Sequence, residues 1–135
     1  MAITKDLEIK ISGDQAAFTE QFYLYQNDRG IELNIKVNMS KLHITKKTSF
    51  LADLEGASGG AIILKPNGDV VYQNNLVVSD DLIKFTIDQE LTNDLDEIGM
   101  YKVQFHLYDE DNNRITIPPV DFEVKQLLAI IPDTF

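Results

Sequence analysis

The chain has 135 residues, no cysteine, 12 Lys and Arg against 22 Asp and Glu, and a formal net charge of -10. A chain of this length suits one domain and buries roughly 70% of its unfolded surface, while the absence of thiols excludes disulfides and thiolate metal sites. The surplus of carboxylates repels a phosphate backbone, which argues against nucleic acid as a partner.

The opening residues, MAITKDLEIK, carry no apolar signal-peptide core, and no run approaches the length of a membrane span. The chain therefore reads as a soluble protein made in the cytoplasm, without a membrane partner. Leu7, Ile9 and Ile11 alternate with Glu8 and Lys10 until Gly13-Asp14, which predicts an N-terminal strand or arm within residues 1–17. Phe18 to Tyr25 is a second strand candidate in which Phe22 and Leu24 load one face while Tyr23 and Tyr25 load the other. A strand apolar on both faces is either central in a sheet packing or covered by another subunit. After the turn Asn27-Asp28-Arg29-Gly30, Ile31, Leu33, Ile35 and Val37 alternate strictly with polar residues.

From Lys41 to Gly60 a loop is expected, with Lys41 to Lys47 and His43 as a solvated strand edge and Gly56, Gly59 and Gly60 too flexible for regular structure. Ala61 to Leu64 and Val70 to Tyr72 flank Lys65-Pro66-Asn67-Gly68-Asp69, where Asn67-Gly68 would supply the positive φ angles of a tight hairpin. Ile83, Phe85 and Ile87 form another alternating run. Leu91, Leu95 and Ile98 are spaced for one face of a short helix ended by Gly99. Tyr101, Val103, Phe105 and Leu107 then alternate with polar neighbours, the cluster Asp109 to Asn113 supplies turn chemistry, and Ile115, Ile117, Phe122 and Val124 resume the pattern.

Seven or eight short strands with regular turn signals predict an all-β fold, an immunoglobulin-like antiparallel β-sandwich with one short helix, a barrel being the alternative. The domain would span residues 18–125, with Ile31, Leu33, Ile35, Phe85, Ile87, Tyr101, Val103, Phe105, Leu107, Phe122 and Val124 as core. Residues 126–135 form an apolar tail. Phe22, Tyr23, Leu24 and Tyr25, with Leu127, Leu128, Ile130 and Ile131 of that tail, are the candidate interface. The competing expectation is that the tail folds back over the open end of the sandwich.

No catalytic residue, cofactor site or metal site is expected. Asp109, Asp111 and Asn113 have the spacing of a calcium loop, but Arg114 and Val120 stand where the motif needs glycine and glutamate. The glycines at 56, 59 and 60 lack the Gly-Lys-Ser/Thr of a phosphate cradle, and His43 and His106 are too few for a zinc site. Asp80-Asp81 and Asp94-Asp96-Glu97 suit turns and helix starts better than a paired-acid site. Asn38-Met39-Ser40 is a glycosylation sequon without a secretion signal to give it meaning.

Lys65-Pro66-Asn67-Gly68-Asp69-Val70-Val71-Tyr72, and Gly99-Met100-Tyr101-Lys102 through Leu107-Tyr108-Asp109-Glu110-Asp111 to Phe122-Glu123-Val124, carry a family resemblance. Over roughly residues 18–125 the chain resembles the amino-terminal domain of the baseplate upper protein of tailed phages infecting Gram-positive bacteria. The resemblance implies an immunoglobulin-like sandwich without enzymatic activity that attaches peripheral baseplate proteins to the tail's central hub. It implies a structural protein of the virion tail, with other tail or baseplate proteins as partners; the apolar segments at residues 22–25 and 127–131 separately suggest homo-oligomers as a further form of association. The chain stops at Phe135, where longer members continue into a linker helix and a distal region. The alternative is a carbohydrate-binding β-sandwich recognising cell-wall glycans. With no Trp in the chain, Tyr23, Tyr25, Tyr72 and Tyr108 would be its sugar platforms.

Overall fold

A computed structural model describes residues 3–39, 51 and 54–128. The described elements are β1 (Ile3–Ser12), β2 (Gln15–Phe18), β3 (Tyr23–Tyr25), β4 (Ile31–Met39), β5 (Ser58–Leu64), β6 (Val70–Ser79), β7 (Leu82–Ile87), α1 (Gln89–Asp94), β8 (Gly99–Tyr108), β9 (Arg114–Thr116) and β10 (Val120–Lys125). The strands form one mixed sheet in the order β2-β1-β4-β7-β6-β5-β8-β10-β3, with β9 attached to β8.

The fold is all-β with one short helix, but its pairing is not antiparallel throughout. β1 runs parallel to β4, and β3 runs parallel to β10. The cause lies in residues 18–25, which do not form one strand: Phe18 ends β2 at one end of the sheet and Tyr23–Tyr25 form β3 at the other. β2 pairs with β1, the chain crosses over residues 19–22, and β3 pairs with β10 before the turn at residues 26–30 returns it to β4. Consecutive strands thus join the two ends of the sheet and curl it. Phe85 on β7 meets Phe105 on β8 edge-on at 5.7 Å although two strands separate them in the sheet. Near the join, Phe22 packs on Phe18 at 5.5 Å and on Phe122 at 5.8 Å, and Tyr101 stacks on Phe122 at 5.2 Å.

Ten of the eleven expected core residues are buried; Ile31 is half-buried and packs against them. Ile9 and Ile11 of β1 are also buried, so the segment expected as an N-terminal strand or arm contributes a strand to the same core. The centre is well filled. A small void described there, about 20 Å³, is lined by apolar side chains including Phe22, Leu33, Phe85, Phe105 and Phe122, a space with room for about one water but no polar partner to hold it.

Three local expectations are corrected. Ser58, Gly59 and Gly60 belong to β5, not to a loop. A Cβ at Gly59 would sit 1.9 Å from the His106 carbonyl oxygen, and one at Gly60 would sit 2.3 Å from that of Gln73. Glycine is what lets β5 pass this closely between β6 and β8, with a register shift between Gly59 and Ala61. The helix is shorter than expected. Asp88 caps it by accepting from the Leu91 N–H at 2.8 Å, Leu91 and Leu95 are buried, yet Ile98 is exposed and Gly99 already begins β8. In the β5–β6 hairpin Gly68 has φ +94° but Asn67 does not share the positive angle. The Gly68 N–H bonds to Lys65 O at 2.9 Å and the Lys65 N–H to Asp69 O at 2.8 Å, giving a three-residue turn closed by a left-handed residue. Residues 41–47, His43 among them, lie outside the described residues.

Candidate functional site

The segment expected to be a contact surface divides between inside and outside. Phe22 and Leu24 are buried at 4% exposure each and belong to the core, so neither is available to a partner in this fold. Tyr25 is exposed and Tyr23 half-buried. The two rings meet edge-on at 5.8 Å, with the Lys125 Nζ 4.2 Å and the Lys5 Nζ 5.2 Å from the Tyr23 ring centre. These contacts hold Tyr23 through the attraction of ammonium for the face of a ring. Tyr25 pairs in register with Lys125 at the end of β10, so the chain leaves the sheet beside it. Leu127 is half-buried and Leu128 fully exposed. Ile130 and Ile131 lie outside the described residues. The outward part of the expected surface is therefore Tyr23 and Tyr25, with Leu127 and Leu128 following from the adjacent strand.

A second apolar surface escaped the sequence reading. On the outer side of the β5–β6 hairpin, Ile62 stands opposite Tyr72 and Leu64 opposite Val70. Leu64, Val70 and Tyr72 are exposed, Tyr72 at 69%. On the neighbouring strand β8, Leu64 pairs with Lys102, and exposed Met100 lies two residues before it on the same face. The Lys102–Asp121 ion pair at 2.8 Å borders this patch. The available signal was the loss of alternation in Ile62-Ile63-Leu64 and Val70-Val71-Tyr72, the feature that singled out residues 22–25.

The polar clusters serve the fold. The carboxylate of Asp109 accepts from the N–H of Asp111 at 3.0 Å, the N–H of Asn113 at 2.8 Å and the Asn113 side-chain amide at 3.0 Å. The Asn113 side chain first, with these backbone donors, holds its pKa below the ordinary carboxylate value. Asn112 takes the left-handed position at φ 63°, as Gly68 does in the other hairpin. At the start of β8, the buried Tyr101 hydroxyl donates to Glu97 O at 2.7 Å and accepts from the Glu97 N–H at 3.0 Å. Burial, the largest influence, raises its pKa. The Lys65 Nζ lies 2.7 Å from Asp96 Oδ1 and 3.6 Å from Glu97 Oε1, tying the β5–β6 turn to the same corner. His106 is half-buried and meets Tyr108 edge-on at 5.7 Å. Among the described residues, no three His, Asp or Glu side chains come together to hold a metal ion, and no helix is long and apolar enough to cross a membrane.

No family model and no curated protein matches the chain. Among solved structures, the N-terminal domain of phage TP901-1 ORF48 is similar, with a TM-score of 0.55 over 92% of this chain and 98% of that chain, at 13% sequence identity. At that identity the likeness concerns the fold. The fold is the one shared with that phage domain.

Proposed function

We propose that the chain is a non-enzymatic structural protein of a phage tail baseplate or tail tip, docking peripheral adsorption proteins to the tail hub through protein–protein contacts. The observation that carries this reading is the fold shared with a phage N-terminal domain over nearly the whole length of both chains. The resemblance of residues 18–125 to the baseplate upper protein family supports it from the sequence side. In this reading a rigid, apolar-centred domain presents contact surfaces whose affinity comes from burying exposed rings and aliphatic side chains. Tyr23, Tyr25, Leu127 and Leu128 form one such surface. Tyr72, Val70 and Leu64 form another. Partners are other tail proteins, further copies of the chain are a second kind of partner, and the chain resides in the virion tail.

The finer fold assignment belongs to the same proposal. An immunoglobulin-like arrangement is supported by Tyr101, a buried tyrosine at the start of a strand whose hydroxyl bonds back to the backbone four residues upstream, as in the tyrosine corner of such sandwiches. It is also supported by the contact of Phe85 with Phe105 across the curled sheet.

The competing reading, a glycan-binding sandwich, rests on the exposed Tyr72 ring. Immunogold labelling of purified virions, beside co-purification of the chain with tail proteins, tests the proposal. Label at the tail tip and a stoichiometric complex are expected. Virions without label, together with saturable binding to cell-wall glycan that Tyr72→Ala abolishes, would replace docking with glycan recognition.

A further inference from the structure

Among the described residues, the sheet has an open edge beside the place where its two ends join. β1 pairs with β4 along Ile3 to Ile11, but on its other side β2 covers only Ile9 to Ser12. The last backbone hydrogen bond described on that side is the Thr19 N–H bonding to Glu8 O at 2.9 Å; beyond it the described contacts of residues 22 and 23 with β1 run through the Lys5 side chain. The Ile3 N–H bonds to Gly30 O at 3.2 Å. In a parallel ladder this directs the backbone of residues 3, 5 and 7 toward β4 and that of Thr4 and Asp6 toward the open side. A cleft of about 300 Å³ lies over β1 where this edge begins, lined by Asp6, Leu7 and Glu8 of β1, Thr19 and Glu20 after β2, and Lys36 on β4 opposite Glu8.

The cleft is acidic, and its acids have no described cationic partner. Asp6 accepts from the Asn34 amide at 3.4 Å and Glu8 from the Asn38 amide at 2.5 Å, both neutral donors. Three carboxylates against the single Lys36 ammonium leave net negative charge beside unpaired backbone groups. We propose that this edge receives an extended segment of a partner protein bearing Lys or Arg, added as a strand where β2 stops. The free backbone supplies the ladder, and the carboxylates select the side chains. On the inner side Lys5 reaches over the Phe22 and Tyr23 rings at 5.2 Å. A lysine facing inward at an edge discourages apolar strands, which further favours a polar segment. A second copy of this chain is disfavoured by its charge of -10. The inference deepens the docking function and rests on it for the nature of the partner.

The test is titration with a short synthetic peptide alternating Val and Lys, read by amide hydrogen exchange at Thr4 and Asp6, with a Val–Glu peptide as control. The Val–Lys peptide should bind saturably and slow both amides, and the control should not. Asp6→Pro removes a donor turned to the open side, so it should weaken binding by about tenfold or more by breaking the added ladder. The variant D6N/E8Q/E20Q keeps the backbone intact, should weaken binding similarly, and decides the matter if the proline variant does not fold. Absence of binding, or equal binding by the wild type and both variants without slowed amides, would overturn the proposal. Undiminished capture of tail proteins by folded Asp6→Pro would leave the docking function standing and remove this edge from it.

Discussion

β8 and residues 18–25 both read as apolar strands, yet β8 is one continuous strand of ten residues while residues 18–25 run from the last residue of β2, at one end of the sheet, to β3 at the other. β8 is paired along its length by β5 on one side and by β10 and β9 on the other. Its alternation assigns one face to the core at every second residue from Tyr101 to Leu107. Residues 18–25 occupy the join, where one apolar ring must point into each end of a curled sheet, and the linker between them carries the change of direction. Loss of alternation therefore marked a place where the chain changes its pairing, while Phe22 and Leu24 still went inside.

The largest expected effect separates these regions by stability. Phe105 is buried at 1% exposure against Phe85, so Phe105→Ala should cost about 3 to 5 kcal/mol. Tyr23→Ala removes a half-buried ring held by two lysines and should cost about 1 kcal/mol or less. Urea unfolding of both variants measures the gap. Equal losses would show that the join is as tightly packed as the centre.

β8 is also fixed at its start, which sharpens the contrast. Tyr101→Phe keeps the ring stacked on Phe122 but leaves the Glu97 N–H and C=O without their buried partner. A loss of about 1 to 3 kcal/mol follows from the cost of unsatisfied polar groups. Phe at this position with unchanged stability would mean that the hydroxyl does not anchor the corner.

How much of this was legible in the sequence depends on which force set each feature. Period-two alternation located the buried faces of β4, β7, β8 and β10, because solvent exclusion acts residue by residue along a strand. It could not reveal that Gly59 and Gly60 lie in β5, since their role depends on the His106 and Gln73 carbonyls, distant in sequence. Nor could it reveal the parallel pairings, which depend on how residues 19–22 route the chain. For residues 22–25 the pattern showed two apolar faces without showing which one turns inward, and the patch around Tyr72 and the open edge at Thr4 and Asp6 depend on which strands end up adjacent.

The far end of β8 offers a smaller test. Asp109→Ala removes the carboxylate that accepts from Asp111 and Asn113, so the melting temperature should fall modestly without loss of fold. Because this carboxylate is already occupied by donors of its own turn, calorimetry with calcium should give no stoichiometric heat. A calcium heat abolished by Asp109→Ala with Asp111→Ala would turn a structural turn into a binding loop.

The smallest expected effect concerns the clamp between Lys65 and Asp96 at the start of β8. The Lys65 hydrogen bond, ahead of its charge, lowers the Asp96 pKa, and the same bond raises that of Lys65. For a carboxylate with a lowered folded pKa, the stabilisation is complete above its ordinary unfolded value and disappears as pH falls through the folded one. For the lysine the stabilisation is complete below its ordinary value and disappears as pH rises through the raised one. Asp96→Asn should therefore be slightly less stable than the wild type across the neutral range and converge with it in acid, where the wild-type carboxyl is protonated. The side chain of Asp96 is 64% exposed, so solvent screening keeps the gap small and added salt should narrow it. Urea unfolding over a pH series, at low and high salt, measures this. A gap that neither closes in acid nor narrows with salt would show that Asp96 acts through backbone geometry and not through charge, and the corner at Tyr101 would then owe its fixity to hydrogen bonding alone.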